Sequence, residues 1–235
     1  MPKASSHVPY HIAFIPDGNR RWAKRHGKPV IYGHQKGIDL MGEILKWARK
    51  SQIRMVSFWA FSTENFNRDK KEVESLMREF GDRLQRVMGE AEFDKYKVRA
   101  RFIGDRKLFP RQVQQKMDEI EGKTARHRKY FLNLFIGYGG RPELVDAARR
   151  LAKDFCNNPR GITEDVFNDY LWTKGIPPPD LIIRTSGEQR LSGFLPFQGV
   201  YSELIFCKKL WPDLKESDFR KAIAEFGSRK RRWGK

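Results

Sequence analysis

Short apolar runs alternate with stretches of helical periodicity along nearly the whole chain. The runs lie at 11–15, 53–61, 97–103, 130–137, 180–184 and 201–207. Helical segments fall near 35–51, 70–90, 109–122, 141–156, 163–171 and 215–227. That order predicts an α/β fold, an open, mostly parallel six-stranded sheet with helices on both faces. The 235 residues contain no repeat, no low-complexity segment and no dividing linker, so residues 1–235 read as a single domain.

In an open parallel sheet, ligands gather beyond the carboxyl ends of the strands. Four of the predicted strands run into polar loops rich in Gly or Arg. They are Asp17-Gly18-Asn19-Arg20-Arg21, Ser62-Thr63-Glu64-Asn65-Phe66-Asn67-Arg68, Tyr138-Gly139-Gly140-Arg141 and Arg184-Thr185-Ser186-Gly187-Glu188-Gln189-Arg190-Leu191-Ser192. A carboxylate, backbone N–H groups and guanidinium forks on one rim suit a phosphate held with a divalent cation. Each loop alone reads equally well as an ordinary polar turn. Asp17 among Arg20, Arg21 and Arg68 suits Mg²⁺, which takes one or two carboxylates plus phosphate oxygens and water. Arg184, Arg190 and Ser192 suit a second diphosphate, because arginine forks match phosphate oxygens. Tyr32-Gly33-His34-Gln35-Lys36-Gly37 is expected to open a helix, with Gly33 or His34 at its anion-binding start and His34 free to donate to a phosphate or shuttle a proton.

The balance of 47 Lys and Arg against 29 Asp and Glu, a net +18, favours anionic partners. No zinc-finger, RRM or helix-turn-helix pattern accompanies it, so nucleic acid is not expected. The two cysteines, Cys156 and Cys207, have neither metal nor disulfide spacing and fit a reducing cytoplasm. No apolar run is long enough to span a bilayer, so any membrane contact is expected to be peripheral. The basic run Arg229-Lys230-Arg231-Arg232 reads as a solvated tail or a contact with anionic lipid.

The helix at 70–90 carries Val73, Leu76, Met77, Phe80, Leu84, Val87 and Met88 at helical spacing. Core packing is the ordinary meaning of such a stripe. Gly81 and Gly89 interrupt it at a cost of about 1 kcal/mol each relative to Ala. They permit close packing or leave room for a long apolar ligand.

Taken together, the motifs Asp17-Gly18-Asn19-x-Arg21-Trp22-Ala23, Gly33-His34-x-x-Gly37, Phe61-Ser62-Thr63-Glu64-Asn65-Phe66-x-Arg68, Tyr138-Gly139-Gly140-Arg141, Arg184-Thr185-Ser186-Gly187-Glu188-x-Arg190-Leu191-Ser192 and Tyr201-Ser202-Glu203-Leu204 resemble the cis-prenyltransferases, the undecaprenyl diphosphate synthase-like family. The match runs in order from about His11 to Gly234. The resemblance implies a Mg²⁺-dependent enzyme that condenses an allylic prenyl diphosphate with isopentenyl diphosphate in cis configuration and releases diphosphate. It implies a homodimer and an apolar tunnel beside the helix at 70–90. It places the allylic diphosphate against Gly18, Asn19, Arg20, Arg21 and Trp22, with Ser62, Thr63, Glu64, Phe66 and Arg68. Isopentenyl diphosphate falls to Arg184, Arg190, Leu191 and Ser192. Asp17, Asn65 and His34 take catalytic positions, and Asp17 and Glu203 match metal ligands, with Glu203 reaching across the dimer. Arg232-Trp233-Gly234 resembles the family's C-terminal Arg-x-Gly, which approaches the partner's site.

The chain departs from the family pattern at four places. Arg20 stands for a Gly common in bacterial members, Val30 for an Arg that contacts the first diphosphate, and Pro16 for a frequent Met. Leu195-Pro196-Phe197-Gln198-Gly199 replaces Leu-Leu-Trp-Gln beside the second site. These changes keep a second coupling open, head-to-middle joining of two allylic units with dimethylallyl diphosphate as acceptor. A non-catalytic accessory subunit is a third reading, disfavoured by the joint presence of Asp17, Arg21, Arg184 and Arg190.

Overall fold

The computed structural model describes residues 8–89 and 92–230, with side chains left out for 85–89. All six strands join one sheet in the order β3-β4-β2-β1-β5-β6, where β1 is His11–Ile15, β2 Met55–Ser62, β3 Val98–Ile103, β4 Tyr130–Tyr138, β5 Leu181–Arg184 and β6 Glu203–Phe206. Every pairing is parallel, so the expected mostly parallel sheet is entirely so.

The central strand β1 is buried along its whole length, which explains why His-Ile-Ala-Phe-Ile lacks a polar face. Ile12 and Phe14 point into one core, where Phe14 packs against Phe58, Trp211 and Phe219. Ala13 and Ile15 point into the other, with Phe135, Tyr138 and Phe194. Buried His11 is satisfied in place: Nδ1 donates to the Pro177 carbonyl, and Ser57 Oγ donates to Nε2.

Eight α-helices cover the sheet among the described residues: α1 Asn19–Arg25, α2 Val30–Lys50, α3 Lys70–Gly89, α4 Glu92–Tyr96, α5 Arg111–Thr124, α6 Gly140–Asp154, α7 Glu164–Tyr170 and α8 Glu216–Ser228. The short helices α1 and α4 were not expected, because neither is long enough to show a period. Helix α2 begins at Val30, five residues before the expected start. Gly33 and His34 therefore lie within it, and the expected anion site at its first turn is displaced from them.

Gly33 and Gly37 have a packing role instead. A Cβ on Gly33 would sit 2.3 Å from the Asn19 carbonyl oxygen, and one on Gly37 would sit 2.5 Å from Asn19 Oδ1. The spacing of four residues puts both on one face of α2 and lets α1 dock there. Of the two alternatives for Gly81 the structure fits close packing: it faces α5, where its Cβ would meet Val113 Cγ2 at 3.5 Å. Val87, Met88 and Gly89 on α3 fall where side chains are not described, and Arg231, Arg232, Trp233 and Gly234 lie outside the described residues. Both described cysteines are free. Among the described residues, no helix is long and apolar enough to cross a membrane.

Candidate active site

From β1 the chain proceeds to β2 on one side, and β5 later pairs with β1 on the other. That reversal of direction is where an open α/β sheet forms its ligand crevice. A cleft of about 890 Å³ opens there at the strand carboxyl ends. Its walls include Asp17, Gly18, Asn19, Arg20, Arg21, His34, Ser62, Asn65, Arg68, Arg184 and Ser192. The loops after β1, β2 and β5 thus converge as their strand-end positions predicted.

Asp17 is held from several sides. Its carbonyl accepts from Thr185 Oγ1 at 2.7 Å and from the Trp211 amide at 3.0 Å. Its Oδ2 accepts from Arg184 Nη2 at 2.9 Å and its Oδ1 from Arg21 Nη2 at 3.3 Å. Gly18 follows at φ 114°, and a Cβ there would lie 2.9 Å from Leu210 Cδ2, so the turn admits only glycine at low cost.

Arg184 ends β5 and is buried. Its Nη1 donates to the Arg190 carbonyl at 2.6 Å and to Ser192 Oγ at 2.8 Å, while its buried Nε has no partner. Arg21 donates to Ser186 Oγ and reaches Glu188, which also pairs with Arg190. On the opposite wall, Glu72 of α3 pairs with Arg68 at 3.2 Å and with Arg20 at 3.6 Å. Each of these guanidinium groups is thus held by a carboxylate on the same rim. An arriving diphosphate would replace those carboxylates as acceptor.

His34 is half-buried, and its buried Nε2 has no partner. Burial first, then the charges of Arg68 and Arg20, push its imidazole down to about 4. It is therefore neutral near pH 7, with a neutral N–H or lone pair facing the rim.

Several expected site residues are occupied elsewhere. Asn65 lines the cleft, but its Oδ1 caps the short 3₁₀ turn Thr63–Asn67 by accepting from the Ser62 amide at 3.0 Å, leaving its amide NH₂ for a ligand. Thr63 packs under Gly139. Glu64 is exposed, and Phe66 packs edge-on against Phe61 and Phe109. Trp22 stacks on His26 and donates to Asp213. Leu191 packs against the core beneath the rim. None of these five lines the cleft.

Glu203 stands apart from Asp17 within one chain. It opens β6 opposite Leu181, three residues before Arg184 in register and so roughly 10 Å from the rim where Asp17 stands. Its carboxylate accepts from Arg229 at 2.7 Å. Within one chain it is not a partner of Asp17. Among the described residues, no three His, Cys, Asp or Glu side chains are placed to hold a metal. A single carboxylate beside a diphosphate cradle still fits Mg²⁺, whose remaining ligands are phosphate oxygens and water.

The sequence reading missed Lys24, Lys28, Trp59 and Ala60, which also line the cleft. Lys24 and Lys28 supply positive charge on the wall where Val30 stands. Below the cleft, and sharing Asn19, His34, Ala60 and Phe61 with it, is an apolar cavity of about 170 Å³. Leu76, Met77, Phe80 and Leu84 of α3 form one wall, where the family resemblance implied an apolar tunnel. Its other wall includes Gly42 of α2, whose Cβ would meet nothing within 4 Å. That glycine leaves room beside α3, one of the two roles open to Gly81.

A basic cleft leading into an apolar cavity is the arrangement needed for an ionic headgroup with a hydrocarbon tail, and comparison with known proteins agrees. The family model described as putative undecaprenyl diphosphate synthase matches residues 15–234. An isoprenyl transferase of Thermotoga maritima is 43% identical over 228 residues, spanning 97% of each chain. The geranylgeranyl-diphosphate-specific tritrans,polycis-undecaprenyl-diphosphate synthase of Pyrococcus horikoshii is 41% identical over 231 residues, 97% of this chain and 88% of that one. Among solved structures, lavandulyl diphosphate synthase of Lavandula x intermedia, in complex with dimethylallyl diphosphate, superposes with a TM-score of 0.94 at 36% identity, covering 98% of this chain and all of that one. The protein is a prenyltransferase. It belongs to the undecaprenyl diphosphate synthase family.

Proposed function

We propose that the protein condenses an allylic prenyl diphosphate with isopentenyl diphosphate, forming a cis double bond and releasing diphosphate. The observation that carries this reading is the joining of the guanidinium-lined cleft to the apolar cavity through shared walls at Asn19, His34, Ala60 and Phe61. The allylic diphosphate rests against Gly18, Asn19, Arg20, Arg21 and Arg68, with its tail in the cavity. The second diphosphate rests on Arg184, Arg190 and Ser192, where Arg184 has a free Nε–H.

The guanidinium groups of Arg21 and Arg68 hold the negative charge that grows on the leaving diphosphate as the allylic C–O bond breaks. The apolar walls keep water from the resulting carbocation. The second substrate's double bond attacks that carbon, and a proton then leaves to the released diphosphate, a weak base that the free NH₂ of Asn65 can hydrogen-bond. Mg²⁺ held by Asp17 and phosphate oxygens would neutralise the leaving group. A homodimer would allow a second copy's Glu203 to approach this site, and the surplus of positive charge suits peripheral contact with an anionic membrane.

A second reading rests on two observations. The lavandulyl diphosphate synthase structure, which contains dimethylallyl diphosphate, superposes over nearly the whole chain. The cavity of about 170 Å³ is also smaller than the roughly 300–1,000 Å³ of pockets that enclose a drug-sized ligand. Both favour short substrates, including head-to-middle joining of two dimethylallyl units.

One experiment separates the two. The purified protein is incubated with Mg²⁺ and a grid of allylic donors, against isopentenyl and dimethylallyl diphosphate as acceptors, and products are read by mass spectrometry. Regular cis products with isopentenyl diphosphate support the first reading, and branched ten-carbon products from dimethylallyl diphosphate alone support the second. No diphosphate release with any pair rules out both.

A further inference from the structure

Glu143 is fully buried in the first turn of α6, and among the described residues it has no ion pair with Lys or Arg. Its carboxylate is satisfied by neutral donors instead. Tyr138 Oη donates to Oε2 at 2.6 Å, and Gln198 Nε2 donates to the same oxygen at 3.1 Å. The Thr173 amide and hydroxyl both reach Oε1 at 3.2 Å, and Gln198 Nε2 also donates to Thr173 Oγ1 at 2.6 Å. Burying a carboxylate is costly, so the donors that satisfy both Glu143 oxygens hold the network in one arrangement, with Gln198 Oε1 its one buried atom lacking a partner.

Gln198 belongs to the segment that returns from the second half of the cleft. That segment is strained. Ser192, Gly193 and Leu195 have φ of 53°, 87° and 48°, so two side-chain-bearing residues occupy the left-handed region. Such conformations persist where surrounding contacts over-determine them. Here the contacts come from below. The Gly140 amide donates to the Gly193 carbonyl at 3.0 Å, and a Cβ on Gly140 would lie 2.2 Å from Pro196 Cδ. Fully buried Phe194 packs among Trp59, Phe135 and Tyr138. At the top of the segment, Ser192 lines the cleft and accepts from Arg184.

We propose that Glu143 is a positioning residue: by holding Gln198 and Tyr138 beneath the Ser192–Leu195 turn, it fixes the strained backbone that presents Ser192 and Arg184 to the second diphosphate. The consequence for catalysis rests on reading Arg184 and Ser192 as the second-substrate clamp. The brace itself does not. A merely structural carboxylate would lower stability when altered but would weaken both substrates alike.

The test compares the full chain with Glu143→Gln, Gln198→Met and Ser192→Ala. Two quantities are read, amide hydrogen exchange in peptides covering 192–199 and the KM for each diphosphate. Glu143→Gln keeps shape but turns an acceptor into a donor facing Tyr138 and Gln198. Exchange over 192–199 is expected to rise about tenfold, KM for the second substrate to rise about tenfold, and KM for the allylic donor to stay within about twofold. Gln198→Met is expected to act in the same direction more weakly, and it carries the test if the Glu143 variant does not fold. Unchanged exchange in the folded variants overturns the brace, as does an equal rise in both KM values. Faster exchange with no change of second-substrate KM in any variant, Ser192→Ala included, supports the brace and refutes the clamp assignment.

Discussion

Arg184 Nη2 lies 2.9 Å from Asp17 Oδ2, joining the end of β5 to the loop after β1. Arg184 is 5% exposed, so its charge depends on Asp17 and on the oxygens of Arg190 and Ser192. The same pair links the two halves of the cleft, which makes Asp17 the residue whose loss should be felt by both.

Asp17→Asn keeps the shape and removes the charge. Turnover is expected to fall at least about 100-fold, the scale seen when one preorganised electrostatic group is removed. Stability should drop by about 1–3 kcal/mol, because Arg184 keeps a hydrogen bond but loses its counter-charge. Steady-state kinetics together with thermal unfolding check this, and near-normal turnover would detach Asp17 from the chemistry.

Gly42→Leu fills the apolar cavity from the α2 side. The Cβ meets no atom within 4 Å, and leucine favours a helix over glycine by about 0.8 kcal/mol, so the fold should be unharmed. KM for allylic donors is expected to rise with tail length, and products should shorten. A product distribution identical to wild type would remove this cavity from the path of the tail.

Gly140→Ala tests the opposite case. Its methyl would overlap Pro196 Cδ at 2.2 Å and the Gly193 carbonyl oxygen at 2.3 Å, both within the turn that carries Ser192. Overpacking of this kind costs about 1–3 kcal/mol. Denaturant unfolding should report that loss, whereas Gly42→Ala should be neutral or slightly stabilising.

Stability should also depend on pH through two histidines. Burial pushes both His11 and His34 down to about 4, with the charges of Arg68 and Arg20 adding to the effect at His34. In the unfolded chain each takes up a proton near pH 6.5, while the folded chain does not until about pH 4. Their neutral burial is therefore without cost above about pH 6.5, and stability is lost as pH falls from there toward 4. The combined loss is on the order of a few kcal/mol. Chemical unfolding between pH 7 and 4.5 measures it, and His34→Asn should flatten part of the slope.

Much of this fold was legible in the sequence because each strand is a short apolar run and each long helix carries a stripe. Burial acts on local segments with a fixed period, and that period is written into the order of residues. The strand-end loops after β1, β2 and β5 were legible for the same reason, since parallel strands must all release their loops on one rim, whereas the loop at Tyr138-Gly139-Gly140-Arg141 shares that rim without lining the cleft. The family motifs then assigned roles to residues that periodicity could not separate, such as Asp17 and Arg184.

What the order of residues left open depended on contacts between distant segments. Gly33 looked like an anion-binding helix start and proved, with Gly37, to be the face on which Asn19 docks. Glu203, expected to reach a partner's site across the dimer, stands within its own chain roughly 10 Å down the sheet from Asp17, paired with Arg229. Glu143 gave no signal at all, because a glutamate in the first turn of a helix is ordinary until the tertiary fold buries it under Gln198. Local pattern determined which segments are strand or helix and which end of the sheet carries the chemistry. Packing across the sheet decided which charges meet, how large the apolar cavity is and what braces the turn at Ser192, because those energies arise between residues far apart in the chain, 167 positions for Asp17 and Arg184.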